Sequence, residues 1–243
     1  MRADSRVGIA NQTGSHATAR PVATVLWRWP IWLALTALLY GTMPSVHEWA
    51  FGRERLEEAA VRDVESRVGA QMSEAGRAMI VKQMATTPSW VSGASGVAAT
   101  LISVVLAGVA LTIGCVLIGS ELPAGEIFGV ASLAALAVAI VRVIAWGASV
   151  FATGKDGVVG LTWMDAGAVT AATWSDASHG SFLYYSLSAM DLTLLIGCAV
   201  AAVLLIDSDP KISPLEGAIL ASLWPIIVIV SRIGLSALLG FAV

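Results

Sequence analysis

The chain has 243 residues, of which 57% are hydrophobic and 13% are charged, and its formal net charge is −3. Soluble globular domains carry about 25% charged residues, so this composition excludes an ordinary soluble domain and indicates a membrane protein. A small negative charge without basic runs excludes nucleic acid as a partner. The cysteines, Cys115 and Cys198, stand apart in apolar segments. Neither a disulfide framework nor a metal site is predicted, and no cofactor is expected.

The sequence predicts an all-α, polytopic membrane protein with five transmembrane helices. Residues 1–26 are polar and lack any periodic pattern, which predicts a disordered tail. The first transmembrane helix is predicted over residues 27–46. Trp27, Arg28 and Trp29 stand at its start, as is typical of a membrane–water interface.

Residues 47–92 are predicted to form an amphipathic helical arm that is extracytoplasmic or lies along the membrane surface. Apolar residues recur there every four positions: Leu56, Ala60, Val64, Val68 and Met72. Glu58 precedes Arg62 by four, the favourable order for a pair on a helix surface. Gly69 and Ser73 indicate a break into two helices. A solvated helix packed on the rim of the membrane domain and a surface for a specific partner are both open interpretations.

Residues 93–243 are predicted to form a four-helix membrane core with an interfacial loop over residues 152–185. Within that loop, residues 158–174 are apolar but short and broken, which favours a re-entrant segment. Small residues at helical spacing let helix backbones approach closely in lipid. The predicted packing positions are Ser95, Ala99, Ser103 and Ala107 on the second helix, Ala131, Ala135 and Ala139 on the third, and Gly197 and Ala201 on the fourth.

Three charges are predicted to lie inside the membrane. When the last hairpin is folded about its polar turn near Lys211, Asp191 comes opposite Arg232, and Arg142 falls at a similar depth. An unpaired charge there costs about 2.5–3.5 kcal/mol on insertion scales, so these groups have a reason to meet. A structural clamp and an ion or proton pathway are both open interpretations of the cluster.

Enzymatic function is not predicted. An intramembrane serine protease needs a histidine on a helix that faces its serine, and His16, His47 and His179 are all expected in the tail and the loops. A zinc protease needs a second histidine four residues after the first, and His47-Glu48 lacks it.

Three stretches of the sequence carry a family pattern: residues 71–79 of the arm, the turn and helix start of residues 119–133, and residues 185–197. Together they resemble the Yip (Ypt/Rab-interacting protein) membrane family in its bacterial branch. Gly119 and Phe128 stand where the family has a glycine and a phenylalanine. Asp191 and Gly197 match its entry to the fourth span, although Leu192 and Leu195 stand where the family usually has aromatic residues.

The resemblance implies five membrane helices, a cytosolic N-terminus and no catalytic residue; its eukaryotic members are associated with vesicle traffic and small GTPases. The predicted function is therefore a non-enzymatic integral membrane accessory protein, which packs with itself or with another membrane complex such as an export machine. The alternative is a transporter or channel subunit that uses Asp191, Arg142 and Arg232 as a polar pathway.

The predicted location is the inner membrane of a bacterium, because arginine outnumbers lysine eleven to three and alanine is abundant, as in proteins from GC-rich genomes. Arg28 beside the first helix favours a cytoplasmic N-terminus. The arm also carries six basic residues, so the distribution of positive charge leaves the orientation open.

Overall fold

The computed structural model describes residues 21–68, 73–86, 88–153, 187 and 190–239. The regular structure of these residues is helical, which confirms the predicted all-α class for this part of the chain. The helices are α1 (Pro21–Leu26), α2 (Trp29–Phe51), α3 (Arg53–Val68), α4 (Glu74–Thr86), α5 (Ser89–Leu117), α6 (Ala124–Thr153), α7 (Thr193–Ser208) and α8 (Pro214–Leu239).

Three of these helices contain segments that are long and apolar enough to cross a membrane: Ser89–Leu117, Ala124–Ala152 and Pro214–Ser231. Helix α7 is also apolar but has only 16 residues. Large apolar side chains point outward from the bundle, among them Leu38, Ile144, Val203 and Val230. Exposure of many large apolar side chains is unfavourable in water and normal in lipid. These features identify a membrane protein.

The five longest apolar helices form one bundle around α6. Helix α2 packs on α5 and α6, α7 lies between α6 and α8, and α5 contacts both α8 and α6. Within its apolar segment α6 is 56% buried, against 28% in both α5 and α8. Alanine makes this central position possible, because Ala131, Ala134 and Ala139 are completely buried and let the neighbouring helices come close.

The bundle has two distinct ends. The connections α5–α6 and α7–α8 lie together at one end, which we call the loop end, because Ser120 of the first connection bonds Asp209 of the second. At the opposite end, called the arm end, α2 leads into α3 and α5 begins. The hydroxyls of Ser45 on α2 and Ser89 on α5 lie 3.2 Å apart there.

Glycine brings helix backbones into contact at two crossings. A Cβ atom on Gly93 of α5 would overlap the backbone carbonyl oxygen of Gly41 on α2. A Cβ atom on Gly129 of α6 would overlap the backbone of Leu26, which is fully buried. Only glycine fits so close an approach.

The predicted packing positions differ in how deeply they are buried. The buried ones are Ala107, Ala131, Ala135, Ala139, Gly197 and Ala201; Ala99 and Ser103 are half-buried, and Ser95 is exposed. The prediction for Ser95 is wrong because Gly93, two positions earlier, provides the contact with α2. Residues two apart lie on nearly opposite sides of a helix.

The first membrane helix differs from its predicted bounds at both ends. The polar tail, predicted over residues 1–26, ends in helix α1, which packs against α6. Helix α2 continues past residue 46 to Phe51, through Pro44. Its buried residues follow one face to its last position: Thr36, Tyr40, Met43, His47 and Phe51. Packing along this face outweighs the helix-breaking tendency of Pro44.

The arm contains two helices, α3 and α4. The hydroxyl of Ser73 accepts a hydrogen bond from the backbone N–H of Gly76 at 3.2 Å, so Ser73 caps α4. Arg77 on α4 forms an ion pair with Glu65 on α3 at 2.6 Å. Leu56 and Ala60 are buried, whereas Val64, Val68 and Met72 have side chains outside the described part. The predicted interfacial loop starts at residue 152, but residues 152 and 153 belong to α6; the rest of the loop, with its re-entrant segment over residues 158–174, lies outside the described residues.

Candidate functional site

A buried ion pair lies in the core of the bundle. Arg142 on α6 donates from Nη2 to Oδ2 of Asp191 at 2.6 Å, and the two side chains are only 4% and 3% exposed. At this burial each charge depends on the other, because water does not solvate either of them. The structure thus brings together two of the three charges that the sequence singles out.

Two hydroxyl groups also bind Arg142. Its Nη1 donates to the phenol oxygen of Tyr40 on α2 at 3.1 Å, and its Nε donates to Oγ1 of Thr193 on α7 at 3.2 Å. We refer to Tyr40, Arg142, Asp191 and Thr193 as the core polar cluster. The cluster ties α2, α6 and the start of α7 together.

Asp191 caps helix α7. Its Oδ1 accepts the backbone N–H of Thr193 at 2.8 Å, and its carbonyl oxygen accepts the backbone N–H of Leu194 at 2.9 Å. The sequence predicts Asp191 in the interior of a helix that begins near Ser186, but α7 begins at Thr193. An aspartate satisfies the free amides at a helix start, and its negative charge is favoured there. Asp191 therefore binds the Arg142 guanidinium with one carboxylate oxygen and the first turn of α7 with the other.

His47 is the second buried polar group at the α2–α6 contact. Its Nδ1 accepts the indole N–H of Trp146 on α6 at 3.0 Å, and its ring packs edge-on against Phe51 with centroids 4.8 Å apart. The expectation that His47 lies in a loop is wrong, because α2 extends to Phe51. Among the described residues no three His, Cys, Asp or Glu side chains come together as metal ligands.

A second polar cluster closes the loop end and consists of Ser120, Glu121, Asp209 and Lys211. The Ser120 hydroxyl donates to Oδ2 of Asp209 at 2.7 Å, and the backbone N–H of Lys211 donates to Oδ1 at 2.9 Å. The Lys211 ammonium binds Glu121 at 2.7 Å on the exposed side. This loop-end cluster joins the α5–α6 hairpin to the α7–α8 hairpin.

Gly119 and Phe128 stand on either side of the start of α6. Gly119 has φ +75° and ends α5. The backbone N–H of Ser120, the next residue, donates to the carbonyl oxygen of Cys115 at 2.9 Å. This way of ending a helix requires a left-handed residue at position 119, a conformation that glycine adopts readily. Phe128 lies in the second turn of α6 and packs on Trp29, with ring centroids 5.9 Å apart.

No protein-family model, curated protein or solved structure matches this chain. The resemblance to the Yip family therefore rests on the sequence motifs alone.

The core polar cluster differs in part from the sequence prediction. Arg232 is the third predicted member, and its side chain lies outside the described part of the structure. Its neighbour Ser231 bonds the hydroxyl of Ser103 on α5 at 3.1 Å, which links α8 to α5. Sequence reasoning missed Tyr40 and Thr193. A signal was available, since a guanidinium has five N–H donors and one carboxylate cannot satisfy them all.

Replacing Asp209 by asparagine is expected to destabilise the protein at neutral pH. Burial alone would raise the pKa of this carboxyl, but the Lys211 and Glu121 backbone amides and the Ser120 hydroxyl hold the pKa of Asp209 below its ordinary value of 3.8. A group with a lowered folded pKa stabilises the fold above its unfolded pKa, and this contribution is lost as the pH falls through the folded value. We expect a loss on the order of 1 kcal/mol at pH 7.

The pH dependence of the melting temperature in detergent tests this. Wild type and Asp209→Asn should differ at pH 7 and converge as the pH falls below 3.8. Glu121→Gln is the matched control, because that carboxylate contacts Lys211 at the exposed surface and should change little. A difference for Asp209→Asn that is independent of pH would contradict the role of its charge.

Proposed function

We propose that this chain is a non-enzymatic integral membrane accessory protein that packs with itself or with another membrane complex. The observation that carries the proposal is that the two opposite charges of the core polar cluster pair with each other. The charges of Arg142 and Asp191 face each other inside the bundle, with Tyr40 and Thr193 as further partners. What the bundle offers to its surroundings is apolar helix surface and a charged arm.

The same geometry disfavours a proton pathway through Arg142. A relay needs groups that change protonation state and exchange with water, whereas a guanidinium stays protonated in proteins. Asp191 is occupied by Arg142 and by the N–H of Thr193, with its side chain 3% exposed. Such a pair holds helices in place.

One observation favours the alternative of a transporter or channel subunit. Helix α7 begins at the level of the core polar cluster, within the bundle, and transporters build binding sites from helices that start inside the membrane. In this alternative Asp191, Arg142 and Arg232 line a polar pathway.

The proposal includes the topology and the location. We propose five membrane crossings, by α2, α5, α6, the segment that ends in α7, and α8, with chain ends on opposite sides and a cytoplasmic N-terminus, in the inner membrane of a bacterium. Membership of the Yip family is part of the same proposal and is supported by Gly119, Phe128, Asp191 and Gly197. An export machine or another membrane complex is the heterologous partner that we propose.

Quantitative co-purification from native membranes in mild detergent, combined with light scattering of the pure protein, tests the accessory function. We expect either a homo-oligomer or one membrane complex at fixed stoichiometry, absent from a control purification of an unrelated multi-pass protein. A strictly monomeric protein without such a partner would contradict the proposal. Ion or proton flux in liposomes that contain only this chain, lost in a folded Asp191→Asn variant, would establish the transporter alternative.

A further inference from the structure

The most exposed aromatic side chains of the described residues lie at the two ends of the bundle. Trp27 precedes α2 at the loop end. Trp49 on α2, Trp90 on α5 and Phe151 on α6 lie at the arm end, and Trp49 is 84% exposed. Tryptophan is enriched where lipid headgroups meet water, because its ring is apolar and its N–H is polar.

We propose that these aromatic residues seat the bundle in the two headgroup layers of a phospholipid bilayer. Helix α2 then crosses the bilayer completely, and the Arg142–Asp191 pair lies near its midplane. This inference rests on the proposed membrane location and deepens it by fixing where the lipid boundaries fall on the molecule.

The exposed aromatic residues at the arm end come from three helices. Ser45 on α2 lies beside Ser89 on α5. Because these helices run in opposite directions, Trp49 lies about 6 Å beyond this contact towards the arm end, and Trp90 lies about 1.5 Å on its other side. His47 bonds Trp146 on α6, and Phe151 lies about 7.5 Å further towards the arm end. Exposed aromatic residues on three helices at the same end are what a boundary layer on this side requires.

The length of α2 matches the thickness of a bilayer. Its 23 residues extend about 34 Å at a rise of about 1.5 Å each, against a hydrocarbon layer of about 30 Å. The exposed large side chains between its ends are apolar: Ile31, Leu35, Leu38 and Val46. The exposed hydroxyl of Thr42 donates to the carbonyl of Leu38 at 2.8 Å, so it does not require water.

The depth of the ion pair follows from its contact with Tyr40. Trp27, the boundary residue at the loop end, stands two positions before Trp29, where α2 begins. Tyr40 lies 11 residues after Trp29 and 9 residues before Trp49, which is about 16 Å and about 14 Å along the helix. Its phenol oxygen binds Arg142. The pair is therefore nearly equidistant from the two proposed boundaries.

Spin labels on engineered cysteines in phosphatidylcholine liposomes test the boundaries. With Cys115 and Cys198 replaced by alanine, a nitroxide is attached in turn to Ala50→Cys, Val91→Cys and Leu38→Cys, so that the aromatic residues stay in place. Collision with oxygen and with a water-soluble nickel chelate reports depth. We expect the Leu38 label to lie about 15 Å deeper than the Ala50 label, and the Val91 label to lie between them, about 10 Å deeper than the Ala50 label.

The outcomes separate this inference from the proposed function. An Ala50 label or a Val91 label as deep as the Leu38 label overturns the seating while the protein stays in the bilayer. Full access of nickel to the Leu38 label overturns the membrane location itself. Quenching of intrinsic fluorescence by headgroup-linked nitroxides gives a second readout without labels. The quenched signal should fall in Trp49→Phe and not in Trp224→Phe, whose indole is buried in the core; equal falls contradict the seating.

Discussion

The Asp191→Asn variant is expected to lose about 3–5 kcal/mol of unfolding free energy, because the substitution removes the carboxylate charge that faces the buried Arg142 guanidinium. The pair is 4% and 3% exposed, so water does not replace the lost partner. The variant also weakens the cap of α7, since the carboxylate accepts the N–H of Thr193. Thermal unfolding in one detergent, followed by circular dichroism, measures the change.

The arm offers a matched control for this variant. Arg77 and Glu65 also approach to 2.6 Å, but their side chains are 47% and 19% exposed. Because solvent screens such a pair, Glu65→Gln should change the unfolding free energy by less than about 1 kcal/mol. Equal losses in the two variants would show that burial does not set the strength of the Arg142–Asp191 pair. An Asp191→Asn protein with unchanged stability and no flux would favour the pathway instead.

The Gly93→Ala variant is expected to lose about 1–3 kcal/mol of unfolding free energy, because the added methyl group forces α2 and α5 apart. The new Cβ would overlap the carbonyl oxygen of Gly41, which is backbone and cannot rotate away. Separation of these helices also strains the bond between Ser45 and Ser89. The melting temperature in detergent measures the loss.

Gly147→Ala on α6 controls for the general effect of replacing a glycine inside a helix by alanine. A Cβ atom added to Gly147 would have no atom of another described residue within 4 Å, and alanine is favoured over glycine in a helix by about 0.5–1 kcal/mol. This variant should be as stable as the wild type or more stable. If Gly93→Ala behaves in the same way, the backbone contact between α2 and α5 does not contribute to stability.

Sequence patterns predict the apolar helices of this chain well and their contacts less well. The prediction of an apolar second and third helix agrees with α5 and α6. The length of these segments and their lack of charge are local properties, and they are sufficient to predict a helix long enough to cross a membrane. The end of α2 could not be predicted in this way. Pro44, His47 and Glu48 all indicate a helix end, yet tertiary packing of Met43, His47 and Phe51 keeps the helix intact.

The partner of Asp191 shows a second limit of sequence reasoning. Folding a hairpin about its turn pairs residues by their count from the turn, which selects Arg232. In the bundle α7 lies between α6 and α8, so either neighbouring helix can provide the arginine. The order of helices around the bundle arises from long-range packing that no local pattern encodes. The same holds for Ser95 and Gly93, because small residues at helical spacing do not reveal which side of the helix has a neighbour.

The chain order of the core polar cluster has a consequence for biosynthesis. Of the partners that bind Arg142, Tyr40 is made before it, whereas Asp191 and Thr193 follow about 50 residues later. A nascent chain that ends after α6 thus holds a cation in lipid with a phenol beside it and its counter-ion still to be translated. Because a charge in lipid is costly without its counter-ion, we expect stable integration of the early helices to require emergence of the final hairpin.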